Sequence, residues 1–319
     1  MNRRQTIPKH LRYTIEDFNR QFPNDEACFE HLRESRYPDG RAYCETCKKE
    51  TQHHRIKGRP VCACDVCLTQ ISPMAGTIFE HTSTSLRLWY YAMYLMASTR
   101  CGISAKQIQR ETGVTYKTAW RMFKQIRSLL GEDIQLEGSL VEMDETYFGG
   151  TRKYGAGRKL RGDTKKTPIV GMAERKGRVI ALVAPDIKGS TLLGYVRDYV
   201  MPKTMIFTDE AVTYDGIKHM PAGYGHRRIK HSAHVYVKGN VHTNTIEGFW
   251  SLVKRGIGGV YHQVSQKYLQ SYLSEYTFRY NRRDKGNLIF HDVLKLASQT
   301  VAQRDVITVK KNPEQSVPF

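Results

Sequence analysis

Apolar residues in the first third of the chain recur at the spacing of amphipathic helices. One such stretch runs from Tyr13 to Arg36, and another begins at Ser85 with the residues LRLWYYAMYLM. Two shorter helical stretches follow, on either side of Thr112 to Val114. The segment from YPDG to Pro73 is rich in cysteine and shows little strand patterning, so it needs a stabilising feature other than an apolar core.

After Gly138 the pattern changes to that of strands. Four strands are predicted, over SLVEMDETYF, TPIVGMAE, RVIALVA and TMIFTD, with a helix over STLLGYVRDYV before the fourth. Helices are also predicted over HTNTIEGFWSLVKRGI, SQKYLQSYLSEYTFRYNRR and DVLKLASQTV. This alternation of strands and helices indicates an α/β domain.

These changes of pattern divide the 319 residues into several parts, as expected of a chain of this length. We predict an N-terminal helical segment (1–36), a cysteine-rich module (37–80), a two-helix region (81–133), an α/β domain (134–305) and a loose tail (306–319).

The charge of the chain indicates a polyanionic partner. Lysine and arginine number 50 against 31 acidic residues, which gives a formal net charge of +19 and a pI near 9.6. The excess is spread over most of the chain, so we predict binding to nucleic acid rather than a basic protein that is merely soluble. The N-terminus has no signal-peptide pattern, and no apolar run is long enough to span a bilayer. The expected location is the cytoplasm, away from membranes.

Two CxxC pairs, CETC and CDVC, predict a metal site. Thiols in a reducing compartment are more often metal ligands than disulfide partners. Cys44 and Cys47 are separated from Cys64 and Cys67 by a spacing typical of four-thiolate zinc sites. We therefore predict structural Zn²⁺ held by these four cysteines. Cys28 and Cys101 are predicted to be core residues.

The two short helices around Gly113 favour a helix-turn-helix that binds DNA, with a plain helical hairpin as the alternative. Ser104 and Thr115 can cap the two helices, and the second helix has an apolar side. The predicted DNA-contacting residues are the cap of that helix and polar or basic residues on it: Thr115, Tyr116, Lys117, Thr118 and Arg121.

Carboxylates recur at the ends of predicted strands in this basic chain. Asp144 lies in MDETYFGG and Asp209 ends the strand IFTDE, while Glu247 begins a helix. Such a set can hold two divalent cations about 3.5–4 Å apart, and oxygen ligands favour Mg²⁺ or Mn²⁺. The competing ligands are Glu145 and Glu210, which are longer and fix a cation less rigidly. A solvated strand-end cap is the alternative for either aspartate taken alone.

The same motifs resemble a known family. The two CxxC pairs, GTIFEHTSTSLRLW, MDETYFGG, FTDE, HTNTIEGFWSLVKRG and YLSEYTFRYNRR are similar to those of DDE-type insertion-sequence transposases of the ISXO-like group, over roughly residues 18–281. The resemblance implies a zinc ribbon and a helix-turn-helix before a ribonuclease-H-like domain, in which helices flank a mixed sheet.

The resemblance also implies the chemistry. It assigns the catalytic cations to Asp144, Asp209 and Glu247, and it gives Lys254, with Arg255 beside it, a role in contacting DNA. Mg²⁺-dependent cleavage at element ends would be followed by attack of the freed 3′-hydroxyl on target DNA. Joining two element ends of double-stranded DNA suggests that the protein acts as a homo-oligomer during synapsis. Asn244 is the alternative to Glu247 as the third ligand.

Two other functions remain as alternatives: a DNA-binding regulator derived from an inactive transposase, and a ribonuclease-H-like nuclease without strand transfer. The inactive regulator is disfavoured because the chain retains all the predicted site residues, Asp144, Asp209, Glu247 and Lys254. The plain nuclease is disfavoured because it would not need the separate DNA-binding modules. Several basic segments are further candidates for phosphate contact: 152–166, 226–239 and the arginines Arg279, Arg282 and Arg283. His242 is a candidate for orienting substrate.

Overall fold

A computed structural model describes residues 7–149, 166–229 and 243–299. The basic segment 152–165, most of the segment 226–239, His242 and the predicted tail lie outside these residues. The chain divides into two compact units, with boundaries at Gly131 and Arg283. The first unit contains residues before and after the second.

The first unit begins with two helices, α1 (Ile15–Gln21) and α2 (Asp25–Arg36). A four-stranded antiparallel sheet follows: β1 (Arg41–Cys44), β2 (Lys49–Arg55), β3 (Cys62–Cys64) and β4 (Gln70–Ile71). The expectation of a strand-poor cysteine segment was therefore wrong. These strands show no alternation of apolar and polar residues, because they are short and pack around thiols.

Three helices complete the N-terminal part of this unit: α3 (Leu86–Ser98), α4 (Ala105–Thr112) and α5 (Tyr116–Ser128). Cys28 is buried as predicted, but Cys101 is exposed because it lies in the turn between α3 and α4. The helix α9 (Ile289–Ala297) also belongs to this unit. Its Phe290 packs against Tyr13 and Phe18, which makes this helix part of an aromatic core with α1 and α3. The sequence pattern assigns the helix to the α/β domain, and the structure corrects that assignment.

The second unit is built on a five-stranded mixed sheet in the order β7-β6-β5-β8-β9. Its strands are β5 (Leu140–Phe148), β6 (Thr167–Glu174), β7 (Val179–Val183), β8 (Met205–Thr208) and β9 (Gly225–Arg228). The first three pair antiparallel, whereas β8 is parallel to both β5 and β9. The strand β9, with the sequence GHRR, was not predicted because it lacks any apolar alternation.

Helices cover both faces of this sheet. On one face, α6 (Gly189–Tyr199) contributes Leu192 and Val196 to a core that includes Val141 and Met143 of β5. On the other face, α7 (Asn244–Gly256) and α8 (Gln266–Asn281) pack through Ile246, Phe249, Leu269 and others. The side chains of β5 alternate between these two cores, as the period of a strand requires.

Candidate functional site

The pairing of β5 with β8 places two of the predicted ligands side by side. The parallel register joins Leu140 to Met205 and Glu142 to Phe207. Two residues beyond this last pair, Asp144 lies level with Asp209, the first residue after β8. Residues at one level of neighbouring parallel strands point to the same face, which here is the face covered by α7.

The third predicted ligand lies in the first turn of α7. Glu247 is exposed, and its Oε1 accepts a hydrogen bond of 2.7 Å from the Thr243 hydroxyl. Ser251, Lys254 and Arg255 follow on the exposed side of the helix, whereas Trp250 is buried. Along one exposed side, the helix thus carries the carboxylate of Glu247 at its start and the positively charged side chains of Lys254 and Arg255 in its last turn.

The electrostatics of Asp144 show that the carboxylates influence one another. Burial, followed by the negative charges of Glu145, Asp209 and Glu247, raises the pKa of Asp144 to about 7. The pKa of Glu145 is also raised, first by burial. A basic chain therefore holds a cluster of acids whose shared negative charge is unfavourable unless a proton or cation compensates it.

The competing acids have other surroundings. Glu145 points to the α6 side of the sheet, where its carboxylate accepts a hydrogen bond from the buried hydroxyl of Tyr214. Glu210 is exposed, whereas Asp209 is half-buried and accepts a hydrogen bond from the amide of Ala211.

Glu142 has a role that the sequence did not reveal. Its side chain is fully buried and receives hydrogen bonds from the amides of Thr245 and Ile246, at 2.7 and 3.1 Å. These amides belong to the first turn of α7, where helices favour negative charge. Glu142 also pairs with Arg175 at 2.9 Å, and the guanidinium lies over the ring of Phe207. Glu142 therefore fixes the start of the helix that carries Glu247.

Trp250 and Gly171 also contact the site and were not predicted. The indole Nε1 of Trp250 donates a hydrogen bond of 3.1 Å to Oδ2 of Asp144. Gly171 is the cross-strand partner of Asp144 on β6. A Cβ at this glycine would lie 2.4 Å from Trp250 Cζ2 and 2.7 Å from Ile246 Cδ1, so the glycine admits both side chains.

The four predicted cysteines come together in the first unit. Cys44 and Cys64 are the last residues of β1 and β3, and Cys47 and Cys67 lie in the turns that follow these strands. Their sulfurs all lie within 4.8 Å of one another. A tetrahedral zinc with Zn–S bonds of about 2.3 Å separates its sulfurs by about 3.8 Å. The Cys44–Cys67 and Cys47–Cys64 sulfur distances are 3.4 and 3.9 Å, so the cluster fits zinc.

Across the described residues, these thiols are the only group of three or more His, Cys, Asp or Glu ligand atoms gathered that closely. The carboxylates of Asp144, Asp209 and Glu247 are therefore spaced more widely than the thiols.

Comparison with known proteins gives the family. Residues 135–281 match the family model described as an ISXO2-like transposase domain, and residues 23–70 match a transposase zinc-ribbon domain. The chain belongs to the ISXO2-like transposases. The zinc-ribbon match and the four-cysteine cluster together indicate structural zinc in this transposase.

Two curated relatives resemble this transposase over different lengths. A protein of Halobacterium salinarum, described as an uncharacterized protein in transposable element ISH50, is 28% identical over 267 residues, which are 78% of this chain and 88% of the relative. An uncharacterized transposase-like protein of Haemophilus influenzae is 28% identical over 109 residues, 34% of this chain and 85% of the relative.

Among solved structures, a pre-cleavage Mos1 transpososome aligns with a TM-score of 0.27 and 10% identity, over 61% of this chain and 75% of that chain. This likeness is too weak to support an argument about the fold.

The predicted DNA-contacting helix of the transposase is α5. Ser104 caps α4 and Thr115 caps α5, each accepting a hydrogen bond from the amide three residues on, and Gly113 joins the helices at a φ of 73°. Ala119, Met122, Phe123 and Ile126 form the buried side of α5. The predicted contacts Thr115, Tyr116, Lys117 and Arg121 are exposed, and Thr118 is half-buried. None of the helices in the described part of the chain has the length and apolarity needed to cross a membrane.

Proposed function

We propose that this transposase cleaves DNA at the ends of its element and joins the freed ends to target DNA, using divalent cations held by Asp144, Asp209 and Glu247. The β5–β8 register supports the proposal most directly, because it sets both aspartates at one level under the helix that carries Glu247. The mixed sheet with helices on both faces supports a ribonuclease-H-like assignment for this unit.

The reaction requires two displacements at phosphorus. Water breaks the phosphodiester at the element end and leaves a 3′-hydroxyl, which then attacks a target phosphodiester and releases the target 3′-oxygen. Mg²⁺ or Mn²⁺, when bound, would activate the water or the 3′-hydroxyl as nucleophile and stabilise the leaving oxygen. The three carboxylates fix where that chemistry occurs, and Trp250 and Thr243 hold two of them in place.

The surroundings of the acids favour this ligand set over its competitors. Glu145 faces the α6 side and is bonded to Tyr214, and Glu210 is exposed. Asn244 is also exposed at the start of α7, but the charge of Glu247 reaches Asp144, and Thr243 orients the Glu247 carboxylate. We therefore assign the third position to Glu247.

Positive surfaces in both units suit a DNA partner. Lys254 and Arg255 lie exposed beyond Glu247, with Lys254 about 10 Å further along the helix axis, a spacing that lets them contact phosphates of the strand being cut. In the first unit, α4 and α5 form the proposed helix-turn-helix, with Lys117 and Arg121 facing the major groove. Synapsis of two ends requires at least two copies of the chain.

A cleavage and joining assay tests this function. Purified full-length protein would be mixed with labelled DNA carrying the element ends, with or without added Mg²⁺. Leaving Mg²⁺ out is better than adding a chelator, which would also remove zinc. We expect cut and joined products only with Mg²⁺, and a loss of about 1,000-fold in Asp144→Asn, Asp209→Asn and Glu247→Gln. Asp198→Asn, an exposed carboxylate on α6, is the matched control and should retain activity.

The other outcomes separate the alternatives. Tight binding of the ends without cutting in Mg²⁺ or Mn²⁺ would contradict the enzyme and favour a regulator. Cutting that ignores the end sequence and gives no joined product would favour a plain nuclease.

A further inference from the structure

We propose that Trp250 is a positioning residue for the catalytic cation site, acting through its indole N–H on the carboxylate of Asp144. This inference rests on the proposed function, because it takes Asp144 to be a cation ligand. The residue lies in α7, one turn after Glu247, and is 3% exposed.

The hydrogen bond is directed at the ligand itself. Trp250 Nε1 lies 3.1 Å from Oδ2 of Asp144. The indole N–H is a donor only, so it neither takes up the proton of the carboxyl nor competes for a cation. An ionised carboxylate has about four lone-pair sites, so one such bond fixes its orientation and leaves sites for a metal. Bonds of this kind, made behind the ligand, hold metal-binding side chains in place.

The sheet is shaped to let the indole reach Asp144. The residue opposite Asp144 on β6 is Gly171, and a Cβ there would come within 2.4 and 2.9 Å of two carbons of the Trp250 ring. With no side chain in the way, the ring lies directly on the backbone of β6 and extends its N–H to the adjacent strand. An aromatic ring without a hydrogen-bond donor could pack against Gly171 equally well. Trp250 in addition brings its N–H to Asp144, the proposed ligand on the central strand of the sheet.

The same helix is fixed at a second point. Glu142, two residues before Asp144 on the same face of β5, accepts hydrogen bonds from the amides that begin α7. The helix is thus joined to β5 at its first turn and again at Trp250. Asp144 on the strand and Glu247 on the helix are therefore held at a set separation, which is what a shared cation requires.

Binding of Mn²⁺ to the full-length protein tests the inference. Free Mn²⁺ would be measured by electron paramagnetic resonance in the original chain and in Trp250→Phe, which keeps the ring and removes the N–H. We expect the dissociation constant of the carboxylate site to rise about 10-fold. The matched control is Trp89→Phe, which removes a buried indole N–H bond to Thr82 of 3.0 Å in the other unit and should leave Mn²⁺ binding unchanged.

A folded Trp250→Phe that binds Mn²⁺ as well as the original chain would overturn the inference and leave the proposed function intact. Asp144→Asn separates the two claims, because equal Mn²⁺ binding by this variant and the original chain would overturn the proposed cation site itself.

A second measurement needs no change at Trp250. The chain has three tryptophans, so its indole N–H groups give three resonances in a ¹⁵N–¹H spectrum. We expect one of them to move on addition of Mg²⁺ and also in Asp144→Asn. If no indole resonance responds to either change, Trp250 does not act on the cation site.

Discussion

In the proposed reaction, the chemistry depends most on Asp144. It lies in the central strand of the sheet, where burial and three acidic neighbours raise its pKa to about 7 from a usual value of 3.8. An acid in such a position destabilises the folded chain when it ionises. A perturbed carboxyl among others of its kind, in a strongly basic chain, is typical of a functional site rather than of a surface ion pair.

This shift predicts how stability depends on pH without added divalent cation. Because the folded pKa exceeds the unfolded one, the folded state binds more protons between pH 3.8 and about 7, and stability falls as pH rises through that range. Asp144→Asn cannot ionise, so its stability should exceed that of the original chain by about 2 kcal/mol above pH 7, after a discount for partial exposure. The advantage should shrink towards pH 4.

Urea unfolding at pH 5 and pH 8 measures this difference. The control is Asp198→Asn, an exposed carboxylate that should change stability by less than about 0.5 kcal/mol at either pH. An Asp144→Asn advantage that is equal at both pH values would contradict the assigned cause.

Some residues of the candidate site can be predicted from local sequence patterns, whereas others cannot, for a physical reason. Asp209 stands out because it follows an apolar strand. Asp144, which the sequence pattern places at a strand end, lies within β5 instead, but an acid in an apolar run is still a local pattern. Glu142 and Trp250 act on partners more than 100 residues away, so no local pattern reveals them. Gly171 looks like any glycine in a strand until its cross-strand neighbour is known.

At the scale of elements, α7 determines the geometry of the site. It holds Glu247, Trp250 and Lys254, and its first turn is bonded to the buried carboxylate of Glu142. The helix, like β5 to β8, was predicted from its apolar spacing. The cysteine hairpins and β9 were not, because thiols or polar residues occupy positions where a strand pattern requires apolar ones.

Because Glu142 anchors the start of α7, we predict that a single substitution at Glu142 strongly lowers the stability of the protein. Glu142→Gln removes the charge that the helix start and Arg175 share, and it removes the ion pair between Glu142 and the largely buried Arg175 side chain. We expect the free energy of unfolding to fall by about 3 kcal/mol, as for other broken buried pairs. Denaturant unfolding of the full-length protein would measure it.

A matched control lies three residues before β5. Glu137 forms an ion pair with Arg178, but its side chain is 72% exposed. Glu137→Gln should therefore change the unfolding free energy by less than about 0.5 kcal/mol. Equal effects of the two substitutions would mean that Glu142 does not anchor the helix.

At the scale of the molecule, the zinc ribbon and the proposed catalytic carboxylates lie in different units. The first unit contains the zinc ribbon and the two-helix region, and the second contains the carboxylates. Both belong to a chain with a net charge of +19, which favours DNA as the shared partner. The order of these modules was predictable from pattern changes. The return of α9 to the first unit was not, because an amphipathic helix does not reveal which core it covers.

The proposed function requires that Asp144, Asp209 and Glu247 hold divalent cations. Anomalous diffraction from crystals of the full-length chain soaked in Mn²⁺ tests it most directly. We predict Mn²⁺ between the carboxylates of Asp144 and Asp209, with Glu247 completing the protein ligands. Crystals without Mn²⁺ at these carboxylates, or with Mn²⁺ on Glu145, Glu210 or Asn244 in their place, would contradict the account.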